Sequence, residues 1–273
     1  MIRIASALLL VLASLPVAAG VVFEIETVDK TAAAGQAADT IHTVVDGKRI
    51  KIDVKGPRGA DADMIYRGDA RELMAVDHAR KSYVLLDEAA FQAIGEQLSA
   101  FEAQMQEALK DVPPEQRAMM EEMMKQRMGQ QMPAENAAAP VNEIRRTSDT
   151  GEQNGYPCVR YELHTDGRHS KDIWVTDWDN VEGGRDAMAA FEDMAEFMRE
   201  LNSAMPSFAQ SPEQGSHAYE HLKELGGFPV VTIEYDASGN ATSESRLRTS
   251  RVETVDALTF EAPAGYRQEQ LFQ

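Results

Sequence analysis

Short runs in which apolar and polar residues alternate constrain the fold of this chain more than any other feature of its sequence. From Arg49 to Lys55, every second residue is apolar. Successive side chains of a β-strand point to opposite faces of a sheet, so this run predicts a strand with one buried and one hydrated face. The pair Asp46-Gly47 precedes it and tolerates positive φ, which predicts a tight hairpin with a strand from Thr40 to Val45.

Similar runs recur along the chain and bring the expected number of strands to about twelve. The remaining expected strands are Val22 to Val28, Ala62 to Tyr66, Glu72 to Asp77, Ser82 to Leu86, Asn142 to Ser148, Cys158 to Thr165, His169 to Thr176, Val230 to Tyr235, Ala241 to Glu253 and Leu258 to Phe260. Asp166-Gly167 predicts another tight hairpin. Because the strands are short and joined by turns, successive strands should pair in antiparallel fashion.

The apolar period changes from two to about three and a half at Asp87, which predicts helices. Asp87 is the expected N-cap of the first helix, and prolines at Pro113 and Pro114 should separate it from a second helix ending near Gln130. We therefore expect a Met-rich helical hairpin insert at about residues 88–131, followed by a linker from Gln131 to Pro140.

Two further helices are predicted in the second half, from Asp186 to Asn202 and from about Ser216 to Leu225. Alternating strands imply an antiparallel sheet with one solvated face, and the helices should cover the other. A sheet of this size curls. The expected fold class is α+β: a strongly curved antiparallel sheet, an incomplete β-barrel of about 10–12 strands, with helices on its concave side. Residues 20–273 should form this single domain, the alternative being two domains divided at the linker.

The first residues of the chain predict export. A basic Arg3, an apolar run from Ile4 to Leu15 and small residues up to Ala19 are typical of a signal peptide spanning residues 1–19. No later segment is apolar enough for a membrane span. We therefore expect cleavage near Ala19 and a periplasmic protein.

The net charge and the cysteine content limit which partners and which covalent links the protein can have. The chain has 27 Lys and Arg against 45 Asp and Glu, a formal net charge of −18, which disfavours nucleic acid. Its single cysteine, Cys158, cannot form an internal disulfide. It is interpreted as a small buried apolar residue, with a thiol that pairs with a partner as the alternative.

Residue patterns for catalysis are missing from the sequence: it has no Gly-x-Ser-x-Gly elbow, phosphate-binding glycine loop or dinucleotide fingerprint. His217 and His221 lie four residues apart, and His164 and His169 should face one another across the Asp166-Gly167 turn. Either pair could hold a metal, but solvated side chains are the favoured interpretation. We assign no catalytic residue, no cofactor and no metal ligand, and expect a protein that is not an enzyme.

Methionines are concentrated from Met119 to Met124 and at Met128 and Met132. Residues four apart, such as Met120 and Met124, share one helix face. Three interpretations stay open: packing of the core or of a lid, an adaptable apolar surface for ligands, and a Cu(I) site, since soft thioethers prefer that ion.

Three segments carry a family resemblance: Asn154 to Tyr161, Trp174 to Trp178 and Phe260 to Tyr266. Together with the Met-rich insert, they resemble a family of bacterial envelope proteins known only as a domain of unknown function. That family is similar to the LolA/LolB-like superfamily of periplasmic lipoprotein carriers and receptors. The resemblance implies an incomplete barrel with a helical lid over an apolar cavity, and binding of acyl chains without catalysis.

These observations predict a monomeric, non-enzymatic periplasmic protein that binds an apolar small molecule or acyl chain in a cavity. The alternative is an envelope protein-interaction or stress-related module whose Met-rich hairpin docks a protein partner, or a Cu(I)-binding protein. The candidate residues of the cavity or lid are Phe91, Leu98, Phe101, Met105, Met120, Met124, Trp174, Trp178, Phe191 and Phe197.

Overall fold

A computed structural model describes residues 19–32, 37–55, 61–93, 95–96, 99–100, 104, 141–204 and 222–270. Most of these residues lie in twelve strands. The first six are β1 (Ala19–Asp29), β2 (Asp39–Asp46), β3 (Arg49–Lys55), β4 (Ala62–Arg67), β5 (Glu72–Asp77) and β6 (Ser82–Asp87). The second six are β7 (Asn142–Gln153), β8 (Tyr156–Thr165), β9 (Arg168–Thr176), β10 (Phe228–Tyr235), β11 (Ala241–Thr254) and β12 (Arg267–Glu269).

All twelve strands belong to one open sheet in the order β12-β6-β5-β4-β3-β2-β1-β11-β10-β9-β8-β7. Successive strands pair antiparallel within each half of the chain, as the turn spacing predicted. The pairing of β1 with β11 joins the two halves. The expected α+β fold is confirmed in its coarse features: one large sheet of about twelve strands that is not closed into a barrel, with few helices.

The two predicted hairpin turns are present, one of them shifted by a residue. Asp166 and Gly167 form a two-residue loop with φ of 51° and 75°, as a type I′ turn requires. In the first hairpin Asp46 pairs with Arg49, so the loop is residues 47–48 and Asp46 ends its strand. Gly47 supplies the positive φ, at 59°.

The C-terminal region differs from the sequence prediction. Leu258 to Phe260 was expected to be a strand, but Ala257–Phe260 forms a 3₁₀ helix. The Asp256 side chain accepts a hydrogen bond from the Leu258 N–H and starts this turn. The last strand is β12, which pairs parallel with β6 and is an exception to the antiparallel arrangement. β12 is three residues long and its residues do not alternate between apolar and polar, so no sequence pattern predicts this strand.

One long helix, α1 (Gly184–Ala204), includes the predicted helix from Asp186 to Asn202. The predicted N-cap at Asp87 is confirmed, because its carboxylate accepts a 2.7 Å hydrogen bond from the Ala90 N–H. Residues 88–93, 95–96, 99–100, 104 and 222–225 are helical. The remainder of the predicted Met-rich hairpin, the linker, and most of the predicted helix ending at Leu225 lie outside the described residues.

Both faces of the sheet carry apolar clusters, which corrects the expectation of one solvated face. The main cluster lies on the face that α1 covers and includes Val21 and Ile50 from the first half and Phe228 and Leu247 from the second. We call this the inner face. On the outer face, Phe260 packs with neighbouring side chains of β4 and β5 in one cluster, and a second cluster contains Leu225.

Candidate functional site

Small residues let α1 approach the inner face closely. Ala187 and Ala190 are fully buried, and Phe197 and Leu201 follow on the same side of the helix. The spacing of three and four residues between these positions gives the helix its apolar stripe. The stripe packs mainly on β1, β2 and β3. It fixes the helix across the centre of the sheet.

A buried tyrosine anchors the middle of α1. The Tyr66 hydroxyl donates a 2.7 Å hydrogen bond to Oδ2 of Asp193, and its ring lies 5.5 Å from the ring of Phe197. Lys48 Nζ lies 2.6 Å from the other carboxylate oxygen of Asp193. Burial acts to raise the pKa of Asp193, but the hydrogen bonds from Lys48 and Tyr66 outweigh it and lower this pKa. Burial and the Asp193 carboxylate raise the pKa of Tyr66.

A glycine and an aromatic cluster fix the N-terminal end of α1. Gly183 has a φ of 69°, and a Cβ at this position would lie 2.1 Å from a methyl group of Val21. Only glycine therefore lets the chain turn into the helix this close to β1. Beside it, the Phe228 ring stacks on Phe23 at 5.2 Å and meets Trp178 edge-on at 5.6 Å.

Half-buried apolar side chains surround the main cluster on the inner face. Each contacts the cluster and keeps part of its surface accessible in the described part of the chain. We call this set the apolar rim: Ile25, Ile52, Met64, Leu86, Phe91, Tyr156, Trp174, Trp178, Phe191, Met194, Met198 and Ile233.

The structure brings together all five of the predicted cavity candidates that it describes. Phe91, Trp174, Trp178 and Phe191 belong to the apolar rim, and Phe197 is buried in the main cluster on which they pack. The other five candidates lie outside the described residues: Leu98, Phe101, Met105, Met120 and Met124. The open interpretations of the Met-rich run stay predictions for the same reason.

Trp174 lies where the inner face changes from apolar to polar. Its ring packs over Gly151 of β7, where a Cβ would stand 3.5 Å from it. Trp174 on β9 pairs with Arg160 on the neighbouring strand β8. Asp172 precedes Trp174 by two residues on β9, so its side chain lies on the same face of the sheet. Cys158, two residues before Arg160, is buried in the main cluster, and burial raises the pKa of its thiol.

The polar region beyond Trp174 is a connected set of charged and aromatic side chains. Arg160 lies 3.3 Å from Asp172, 3.3 Å from Glu162 and 2.6 Å from Asp149. Tyr235 donates a 2.8 Å hydrogen bond to Asp172. Burial and that hydrogen bond to the Asp172 carboxylate raise the pKa of Tyr235 to about 12. No local sequence pattern predicts this set, because its members come from several strands.

A separate cleft of roughly 430 Å³ lies against β4, β5 and β6. Its lining includes Asp63 and Tyr83. The imidazole of His78 lies 3.0 Å from the Asp63 carboxylate and 2.8 Å from the hydroxyl of Tyr266. Lys51 lies 2.8 Å from Asp63, so these contacts hold the segment before β12 on the outer face.

No model of a known protein family matches the chain, and no curated protein matches it. Three solved structures are similar at low TM-score. An uncharacterised conserved protein from Thermus thermophilus has a TM-score of 0.43 and 4% identity, over 92% of this chain and 90% of that one. The structure of PNGF-II has a TM-score of 0.38 and 8% identity, and the similarity covers 93% of this chain and 32% of the PNGF-II chain. A LolA superfamily protein from Nitrosomonas europaea has a TM-score of 0.27 and 11% identity, and the similarity covers 90% of this chain and 91% of that one.

None of the helices in the described ranges is long and apolar enough to cross a membrane.

Proposed function

We propose that this protein is a non-catalytic binding protein that holds an apolar ligand, such as an acyl chain, against the inner face of its sheet. The observation that carries the proposal is the apolar rim. It consists of large side chains that contact a packed core and are themselves only half buried. Partly accessible apolar side chains that pack on one cluster offer an apolar ligand more contact area than isolated ones do.

The dimensions of α1 explain why apolar surface is left over. A helix with its side chains is about 10 Å wide, and neighbouring strands lie about 4.8 Å apart, so one helix covers two to three strands. α1 packs mainly on β1 to β3 of a sheet with twelve strands. Among the described residues, rim members such as Trp174 and Ile233 lie on β9 and β10, beyond the strands beneath this helix.

An acyl chain matches this surface in chemistry, because both are apolar. Burying one methylene contributes about 0.8 kcal/mol, so eight methylenes contribute roughly 6 kcal/mol before the cost of association. Each further methylene that is buried should therefore tighten binding about fourfold. Methionines such as Met194 and Met198 adapt to ligands of different shape. The polar set around Arg160, next to Trp174, offers hydrogen-bonding groups to the head of an amphipathic ligand.

The same proposal assigns the protein to the periplasm as a monomer, with lipid or lipoprotein-type acyl groups as ligands. Two features of the sequence support this assignment: the segment typical of a signal peptide in residues 1–19 and the resemblance to an uncharacterised envelope family. The protein partner and the Cu(I) site expected as alternatives depend on the Met-rich insert, outside the described residues.

Titration with a fluorescent long-chain fatty acid tests the proposal. Wild-type protein should bind it saturably, and Trp174→Ala should weaken binding about tenfold, because this change removes an aromatic group of the rim. Tyr161→Ala is the matched control, since Tyr161 is a half-buried aromatic residue of the outer face on the adjoining strand β8. Absence of saturable binding, or equal weakening by the two substitutions, would refute the proposal.

A further inference from the structure

Four side chains of β8 and β9 that can bind metal ions occupy two pairs of one ladder, with a single pair between them. Glu162 pairs with Asp172, and His164 pairs with His169. Glu162 and His164 are two residues apart on β8 and therefore share a face. On β9, His169 and Asp172 are three residues apart, a spacing that places side chains on opposite faces of a regular strand.

A β-bulge removes that mismatch. Leu163 pairs with Lys171 and His164 with His169, so Ser170 is the extra residue in the ladder. The Ser170 hydroxyl donates a 3.0 Å hydrogen bond to the Leu163 carbonyl and lies 3.0 Å from the hydroxyl of Thr165. The bulge turns His169 to the face of Asp172, and bulges next to functional sites commonly re-aim a side chain in this way.

The resulting distances suit a small metal centre. His169 Nε2 lies 3.0 Å from Asp172 Oδ1, and His164 Nε2 lies 3.2 Å from Glu162 Oε2. Ligand atoms around a tetrahedral zinc ion are roughly 3.3 Å apart, given bonds of about 2.0 to 2.1 Å. Glu162, His169 and Asp172 each place one ligand atom within 4.8 Å of the other two, and the rings of His164 and His169 are 5.5 Å apart.

The surroundings orient these groups and favour a cation. Tyr235 donates its hydrogen bond to Oδ2 of Asp172, which directs Oδ1 toward His169. Such partners of a ligand commonly fix its orientation in metal sites. Arg160 is one positive charge among the three carboxylates of Asp149, Glu162 and Asp172, so two negative charges remain for a divalent ion to balance.

A buried nitrogen also lacks a partner here. In the described part of the chain, His164 Nδ1 is shielded from solvent and makes no hydrogen bond. A buried polar atom without a partner is costly, and a bound water or ion is one explanation for it.

We propose that Glu162, His164, His169 and Asp172 form a binding site for a divalent transition-metal ion of the zinc class. Imidazole and carboxylate ligands without a thiolate suit such an ion. The site differs from the favoured interpretation of the sequence, in which His164 and His169 are solvated. The site shares Glu162 and Asp172 with the polar set beside Trp174, but metal binding does not require an apolar ligand.

The test is calorimetric titration of the full chain with Zn²⁺, in excess Mg²⁺ to occupy weak acidic sites. Wild-type protein should bind one Zn²⁺ tightly, and His169→Gln or His164→Gln should each weaken binding at least about tenfold. The matched control is His42→Gln, because His42 also lies beside a carboxylate, 4.0 Å from Glu24. The double substitution His217→Gln/His221→Gln controls for the other histidine pair of the sequence. Both controls should bind like wild type.

Two results would overturn the proposal. One is Zn²⁺ binding by His169→Gln and His164→Gln that equals that of wild type. The other is weak binding that excess Mg²⁺ abolishes in every variant. Co²⁺ provides a readout on the unaltered protein that does not depend on the folding of a variant: its visible absorption should show the intense bands of a tetrahedral site, and a spectrum like that of hydrated Co²⁺ contradicts the site.

Discussion

The hydrogen bond between Tyr66 and Asp193 should couple α1 to the sheet, and a double-mutant cycle measures that coupling. Tyr66 is fully buried, and its hydroxyl donates to the Asp193 carboxylate at 2.7 Å. A hydrogen bond to a charged group contributes about 1.5 to 3 kcal/mol. Because the Asp193 side chain is 17% exposed and water can partly replace the donor, we expect Tyr66→Phe to cost about 2 kcal/mol.

Asp193→Asn should cost a similar amount, since it also weakens the ion pair with Lys48. That ion pair adds little by itself, because the Lys48 side chain is 63% exposed. Tyr66→Phe removes this hydrogen bond and Asp193→Asn removes the charge of its acceptor, so the double variant should be more stable than the sum of the single losses predicts, by about 1 kcal/mol. Urea unfolding followed by far-UV circular dichroism gives the four free energies of unfolding.

The same pair predicts a pH dependence. The pKa of Asp193 is lowered in the folded protein, so its carboxylate stabilises the fold above the unfolded pKa of about 3.9. That stabilisation is lost as the pH falls through the lower, folded pKa. The stability difference between wild type and Asp193→Asn should therefore shrink under acid conditions. The role given to this hydrogen bond would be refuted if the losses of the two single variants simply added in the double variant and if the stability difference between wild type and Asp193→Asn did not change with pH.

Two other predictions concern the fold around the apolar rim. Gly183→Ala should destabilise the protein by about 2 kcal/mol or more, because positive φ and the contact with Val21 both oppose a Cβ. Gly239→Ala, at a φ of 81° with no atom within 4 Å of the added Cβ, should cost only about 1 kcal/mol, and equal losses of thermal stability would contradict the close approach. Cys158 should react with a thiol reagent far more slowly in folded than in urea-unfolded protein, because it is buried and its pKa is raised. Similar rates in the two states would show that the main cluster is open at this point.

Local patterns predicted the elements well, since each depends on neighbouring residues. The alternation of apolar and polar residues from Arg49 to Lys55 predicted β3 with the bounds that the structure has. The carboxylate of Asp87 caps a helix, as its position before the helical pattern predicted. The features that the sequence did not reveal are long-range or depend on one irregular residue. Nothing near Arg267 indicates that β12 pairs parallel with β6, and nothing near Ser170 indicates a bulge.

The candidate site was predictable only in its apolar part. Large residues at helical spacing, such as Phe191 and Phe197, have to pack against a sheet, and they do so on the inner face. Trp174 could be placed with them because it is the large apolar residue of its strand. The polar set around Asp172 combines side chains from β8, β9 and β10, and its assembly follows from strand order, which a single sequence does not specify.

Quenching of tryptophan by a brominated fatty acid tests the central claim most directly, because bromine quenches only on close contact. The chain contains two tryptophans, so Trp178→Phe leaves Trp174 as the sole emitter. If the acyl chain binds on the apolar rim, the emission of Trp174 should fall as the brominated fatty acid is added and then reach a plateau. Emission that stays constant, or that falls linearly as for free tryptophan, would contradict acyl binding on the inner face.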